Sequence, residues 1–202
     1  MPDRMEKQFR SITIYRPIQE SVKPTNEKFP FLSVYVTADS QVELTGLPST
    51  EKFGSWRLIT FNDKLTLDEH LVLIKGDITK QDPLPIRVHS SFVVNEIFYI
   101  EASDDRAQLQ EAMRQINEKG RGMIIYLQQE GAGNRLATVV AQLALTNQGI
   151  AMTDAFKQLG VSVENRSFQL AADILTMLEV KAPIALMTNN VNKRQQLESA
   201  GF

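Results

Sequence analysis

The chain has 202 residues, enough for one domain with an extension and for a sizeable buried core. Hydrophobic residues make up 43%, charged residues 23%, and the net charge is -2, so no global basic field points to nucleic acid or to an anionic membrane surface. The start, Met1-Pro2-Asp3-Arg4, lacks the apolar core of a signal peptide, no apolar run approaches the ~18 residues of a membrane span, and the lack of cysteine removes any disulfide framework; a cytoplasmic location is the expectation.

Residues 1–45 read as an N-terminal extension and residues 46–202 as the main domain. Inside the extension, charged and turn-rich stretches from Gln19 to Lys28 precede a short alternating run, Phe31-Leu32-Ser33-Val34-Tyr35-Val36, which suits a half-buried strand. Trp56-Arg57-Leu58-Ile59-Thr60-Phe61 and Leu71-Val72-Leu73-Ile74-Lys75-Gly76 read as strands joined through Lys64 to Glu69. Pro83 and Pro85 break the chain before another strand, Ile86-Arg87-Val88-His89.

The period then changes. Asp104 is placed to cap a helix that carries Leu109, Ala112, Met113 and Ile116 at helical spacing, and Gly120 closes it. Met123-Ile124-Ile125-Tyr126-Leu127 is short and nearly all apolar, hence a buried strand. A polar glycine loop, Gln128 to Asn134, leads into a helix over about Arg135 to Asn147. A further helix from about Arg166 to Leu178 takes Asn165 as its cap. Pro183 to Met187 reads as the last strand, and Thr188-Asn189-Asn190 caps a final helix. Strands alternating with helices predict an α/β fold, a mixed sheet with flanking helices.

Several clusters could carry chemistry. Arg87-Val88-His89-Ser90-Ser91 sets a guanidinium, an imidazole and hydroxyls at a strand end, a common place for ligands in α/β folds; a capped strand with a satisfied histidine is the plain reading. The glycines of Gln128 to Leu136 let backbone N–H groups approach an anion or a base edge, or simply make a strand-to-helix turn. Glu164 and Arg166 form either a reacting pair or a helix start, with the acid on the dipole and the arginine in solvent. Thr188-Asn189-Asn190-Val191-Asn192-Lys193 offers an anion-ready helix terminus or ordinary capping.

On these motifs, together with Ser103-Asp104-Asp105 and Gln108-Leu109, the chain from about Leu47 to Phe202 resembles GTP cyclohydrolase II, the first committed enzyme of riboflavin synthesis. The resemblance implies that family's fold, a purine nucleotide (GTP-like) as ligand and a homodimer. It implies substrate contacts at Arg87, Val88, His89, Ser90, Gln108, Glu130, Gly131, Thr153, Thr188 and Lys193. It implies catalysis at Glu164 and Arg166, with Arg166 attacking the α-phosphate as pyrophosphate leaves. It also implies a catalytic zinc, held in the family by three cysteines whose equivalents here are Phe92, Ser103 and Asp105.

The chain departs from that pattern at the chemistry. Phe92 cannot ligate, neutral Ser103 is a poor ligand, and the two histidines, His70 and His89, lie far apart in sequence, so no zinc site is expected. An Mg²⁺ carried by the nucleotide needs few protein ligands and stays open. Without zinc to generate hydroxide, water attack on the guanine imidazole ring has no activated nucleophile. Ala132 stands where the family has an arginine, Thr138 and Val139 where it has an Asn-Lys pair, and Leu143 where it has a catalytic tyrosine. The expected function is a zinc-free homologue that binds a purine nucleotide, has lost ring opening and keeps at most pyrophosphate release. Any retained activity would be that of a hydrolase acting on a nucleoside triphosphate. The alternatives are a non-catalytic regulatory or partner protein using the old pocket, and an enzyme acting on a related ribosyl nucleotide.

Overall fold

The computed structural model describes residue 32 and residues 34–45, 52–101 and 103–202. Strands β1 (Val34–Thr45), β2 (Lys52–Asp63) and β3 (Glu69–Lys75) form an antiparallel meander. β5 (Gly122–Leu127) pairs antiparallel with β3 and parallel with β4 (Leu84–Ser90), and β6 (Ile184–Leu186) lies parallel outside β4. The sheet order is β1-β2-β3-β5-β4-β6. Helices α1 (Val93–Glu96) and α2 (Asp105–Lys119) connect β4 to β5. Helices α3 (Arg135–Thr146), α4 (Met152–Gln158) and α5 (Gln169–Met177) connect β5 to β6, and α6 (Val191–Ser199) follows. This is the expected α/β architecture. Among the described residues no helix is long and apolar enough to cross a membrane.

β5 shows why the sequence reads as an unbroken apolar run: both of its faces are covered. Met123, Ile125 and Leu127 enter a cluster with Phe61, Val72, Val88 and the α5 residues Ala171, Ile174 and Leu175. Ile124 enters the opposite cluster, with Phe53, Trp56 and Ile116 of α2. Burying an aliphatic side chain this completely stabilises the fold by roughly 1.5–3 kcal/mol each. Gly122 permits the close seat of α2, because a Cβ there would lie 2.8 Å from both Ile116 Cγ2 and the Pro85 carbonyl oxygen.

The two crossovers leave the sheet on opposite faces. The chain leaving β4 turns toward α2, which packs on the Ile124 face, whereas the chain leaving β5 travels to α5 on the other. Parallel strands whose connections diverge in this way open a crevice at their C-terminal ends. Ser90 and Leu127 are paired at that edge, so the residues just beyond them are pushed apart.

Several boundaries differ from the sequence reading. β1 is hydrogen-bonded along β2 from Val34↔Asp63 to Thr45↔Lys52, so the end of the expected extension is a strand of the sheet. Gln19 to Lys28, Phe31 and Ser33 lie outside the described residues. Helix α5 begins at Gln169 rather than Arg166, and Asn165 does not cap it. The reason is tertiary: Asn165 donates its backbone N–H to Ala132 O at 2.9 Å, which ties this segment to the glycine loop. The Phe168 N–H is taken by Gln196 Oε1 at 2.8 Å. α1 and α4, of 4 and 7 residues, have no counterpart in the sequence reading.

Candidate functional site

A cavity of about 680 Å³ occupies the crevice. The exit of β4 supplies Ser90, Ser91 and Phe92, and the approach to α2 supplies Ser103 and Asp105. The glycine loop adds Gln129, Gly131 and Ala132, and α3 adds Val139, Gln142 and Leu143. Glu101, Phe156, Glu164 and Arg166 also line it. The loop sits in the left-handed region at Gly131 (φ 63°), Ala132 (φ 54°) and Gly133 (φ 86°). A Cβ on Gly133 would stand 2.6 Å from Asn165 O, so glycine there lets the Glu164–Arg166 segment reach the cavity.

Of the residues expected to act, Ser90, Gly131, Glu164 and Arg166 line this cavity. Glu164 holds Arg166 in a bidentate ion pair, with Arg166 Nε 2.8 Å from Glu164 Oε1, and also accepts the Arg166 backbone N–H at 3.0 Å. The plain reading, with the acid on a helix dipole and the arginine in solvent, is therefore not what forms. The Arg166 pKa is raised, chiefly by the hydrogen bond to Glu164. Burial pushes the Glu164 carboxyl up, but the Arg166 hydrogen bonds and charge outweigh it and hold it below its usual range.

Arg87, His89, Gln108 and Lys193 do not line the cavity; they form a polar layer beneath it. Arg87 donates to Gln108 Oε1 at 2.7 Å and to Met187 O at 3.1 Å, and burial lowers its pKa. An Arg87 Nη lies 3.4 Å from His89 Nδ1, and His89 Nε2 lies 3.0 Å from Glu96 Oε1. A guanidinium can only donate, so His89 Nδ1 accepts from Arg87 and His89 Nε2–H donates to Glu96. Glu96 also accepts from Tyr126 OH at 2.6 Å and from the Phe92 N–H at 2.8 Å. Burial raises the Glu96 pKa, yet these hydrogen bonds bring it below the ordinary value; Tyr126 is raised by burial and by Glu96. Lys193 is 5% exposed, donates Nζ to Val88 O at 2.6 Å, and is pushed down to about 8 by burial and by the charges of Arg87 and Arg166.

The other expected contacts are placed elsewhere. The Val88 side chain is enclosed in the core, and only its carbonyl is used, by Lys193. Glu130 lines a second cavity of about 670 Å³ beside His70 and accepts the Val93 N–H at 3.1 Å. Thr188 accepts the Asn190 N–H at 3.1 Å, and Asn190 caps α6 by accepting from the Lys193 N–H. Thr153 is exposed on α4 and lines neither cavity.

Sequence reasoning did not single out Glu96, Tyr126 or Asn95. Asn95 donates to Ile100 O and Ser103 O, both at 2.9 Å, and accepts from the Arg106 N–H, so it shapes the loop that delivers Ser103 and Asp105. The available signal was Tyr126, the one hydroxyl in an otherwise apolar strand.

Residues 41–202 match the family described as GTP cyclohydrolase II. The GTP cyclohydrolase-2 of Histophilus somni (strain 2336) is 36% identical over 151 residues, covering 75% of this chain and 69% of that protein. The chain belongs to the GTP cyclohydrolase II family. The riboflavin biosynthesis protein RibBA of Parabacteroides distasonis is 39% identical over 151 residues, covering 75% of this chain and 37% of that protein. The GTP cyclohydrolase-2 of Buchnera aphidicola is 34% identical over 161 residues, covering 81% of that protein.

The family's zinc can be tested against the donor set. Phe92, Ser103 and Asp105 still converge on the cavity, but they offer a hydrocarbon ring, a hydroxyl and one carboxylate. Zinc wants thiolate or imidazole nitrogen. Among the described residues no group of three or more His, Cys, Asp or Glu side chains is placed to hold a metal ion. These residues do not fit zinc.

Proposed function

We propose that this chain is a zinc-free member of the GTP cyclohydrolase II family that binds a purine nucleotide, or the nucleoside part of one, in the crevice beyond β4 and β5 and does not open the imidazole ring. The observation that carries the reading is the presence of Phe92, Ser103 and Asp105 together in the cavity lining, at the positions where the resemblance implies the zinc ligands. The crevice is present, and the groups that would activate water are replaced. Ser90 Oγ and Gln129 Oε1 are buried without a hydrogen-bond partner among the described residues, and both residues line the cavity, which suits a polar ligand.

Release of pyrophosphate through Arg166 has weak support. A guanidinium paired bidentately with Glu164 and raised in pKa is a poor nucleophile. On α3, where the resemblance implies polar catalytic groups, Val139 and Leu143 present hydrocarbon to the cavity. A ligand-binding role without turnover follows.

The test is incubation of the full chain with GTP in the presence of Mg²⁺ or Zn²⁺, with formate and pyrophosphate measured, beside calorimetric binding of GTP and guanosine. Binding of at least one purine compound without formate is expected. Formate release above a buffer control would overturn the loss of ring opening, and no binding of either compound would overturn the purine reading.

A further inference from the structure

We infer that this cavity selects uncharged purine nucleosides over nucleoside triphosphates. The inference rests on the purine reading above and assigns its ligand class from the charges and walls of the cavity. The charged side chains among its lining residues are Glu101, Asp105, Glu164 and Arg166. Three are acids. The one cation turns the Nε edge of its guanidinium to the Glu164 carboxylate, so its bidentate face is already used.

The other cations nearby do not reach the cavity. Neither Arg87 nor Lys193 is among the lining residues: Arg87 directs its two Nη groups to Gln108 Oε1 and Met187 O, with Nε unpartnered among the described residues, and Lys193 donates Nζ to Val88 O. Ala132 and Val139 line the cavity where a basic side chain could have answered a phosphate. A polyanion entering this lining would meet net negative charge in a partly dry site, where like charges repel more strongly than in water. It would also lose hydration that no donor set replaces.

An uncharged nucleoside meets the opposite conditions. Phe92, Val139, Leu143 and Phe156 give an apolar wall for a flat heterocycle. Asp105 is a carboxylate acceptor for base N–H groups, and Ser90 offers a buried hydroxyl without a partner among the described residues. A cavity of about 680 Å³ is in the size range of small-molecule sites.

The test is calorimetric titration of the full chain with guanosine and with GTP, with and without Mg²⁺, at low and high salt. Guanosine should bind at least about tenfold more tightly than GTP, and GTP affinity should rise with salt as repulsion is screened. The double variant Glu101→Gln, Asp105→Asn should raise GTP affinity and narrow the gap. GTP binding as tight as guanosine, GTP affinity that falls with salt, or no gain in the double variant would overturn the selectivity and leave the purine reading standing. Failure of both compounds to bind would overturn that reading and this inference with it.

Discussion

Glu96→Gln is the sharpest probe of the polar layer under the cavity. The Glu96 carboxylate accepts three hydrogen bonds, from the Phe92 N–H, His89 Nε2 and Tyr126 OH, at 2.8, 3.0 and 2.6 Å. Its side chain is 9% exposed and that of His89 1%, so water cannot substitute for a lost partner. A glutamine oxygen can keep the Phe92 and His89 bonds, but its NH₂ then faces Tyr126, whose hydroxyl must turn from donor to acceptor. One weakened charge-assisted bond and one frustrated donor cost about 1–2 kcal/mol. Glu96→Ala strands all three donors and costs about 3–5 kcal/mol. The pH dependence follows from linkage. The folded Glu96 carboxyl lies below its ordinary 4.5 because the hydrogen bonds from His89, Tyr126 and Phe92 outweigh burial. A depressed carboxyl contributes stability that is present above the unfolded pKa and lost as pH falls through the folded one. Urea unfolding followed by circular dichroism should therefore show the full deficit of Glu96→Gln at neutral pH and a shrinking deficit below the ordinary carboxylate range. Equal stability at neutral pH, or a deficit undiminished in acid, would refute the reasoning.

Two further perturbations address the frame of the cavity. Gly133→Ala combines a left-handed φ of 86° with a Cβ placed 2.6 Å from Asn165 O; a loss of about 2–4 kcal/mol is expected in denaturant titration. Gly120→Ala, also left-handed but with open space around it, should lose only about 1 kcal/mol in the same assay. Lys193 falls from its ordinary 10.5 to about 8 in the fold, so between those values the unfolded chain binds the extra proton and stability rises with pH. The Lys193→Met variant should lose that rise; an unchanged difference between wild type and variant across the window would count against a buried, proton-shedding lysine.

What was legible in the sequence follows from where each cause lies. β5 read as a strand because a strand covered on both faces must be apolar, β4 followed the break at Pro83 and Pro85, and Gly120 marked the end of α2 by its left-handed cap, φ 68°. α1 and α4 were missed because 4 and 7 residues are too few to show a helical period. The start of α5 was misplaced because a long-range bond, Asn165 N–H to Ala132 O, overrides a local capping signal. The same holds at the site. Arg87, His89 and Ser90 stood out by residue type, whereas Glu96 and Tyr126, which orient His89, are partners 30 positions apart that no local pattern connects.

The division between lining and underlayer changes what retention of a residue means in this family member. Arg87, His89, Gln108, Glu96 and Lys193 bond largely to one another and to the main chain at the ends of β4 and β6. Removing any one would strand a buried partner, so folding accounts for most of these contacts, the unpartnered Nε of Arg87 being the exception among the described residues. The lining faces no such demand. Val139 and Leu143 present hydrocarbon on α3, but Ser90 and Gln129, with Oγ and Oε1 unpartnered among the described residues, do not serve packing. Polar groups kept at a cavity wall without a structural partner are the part of this site that a ligand, rather than the fold, has to explain.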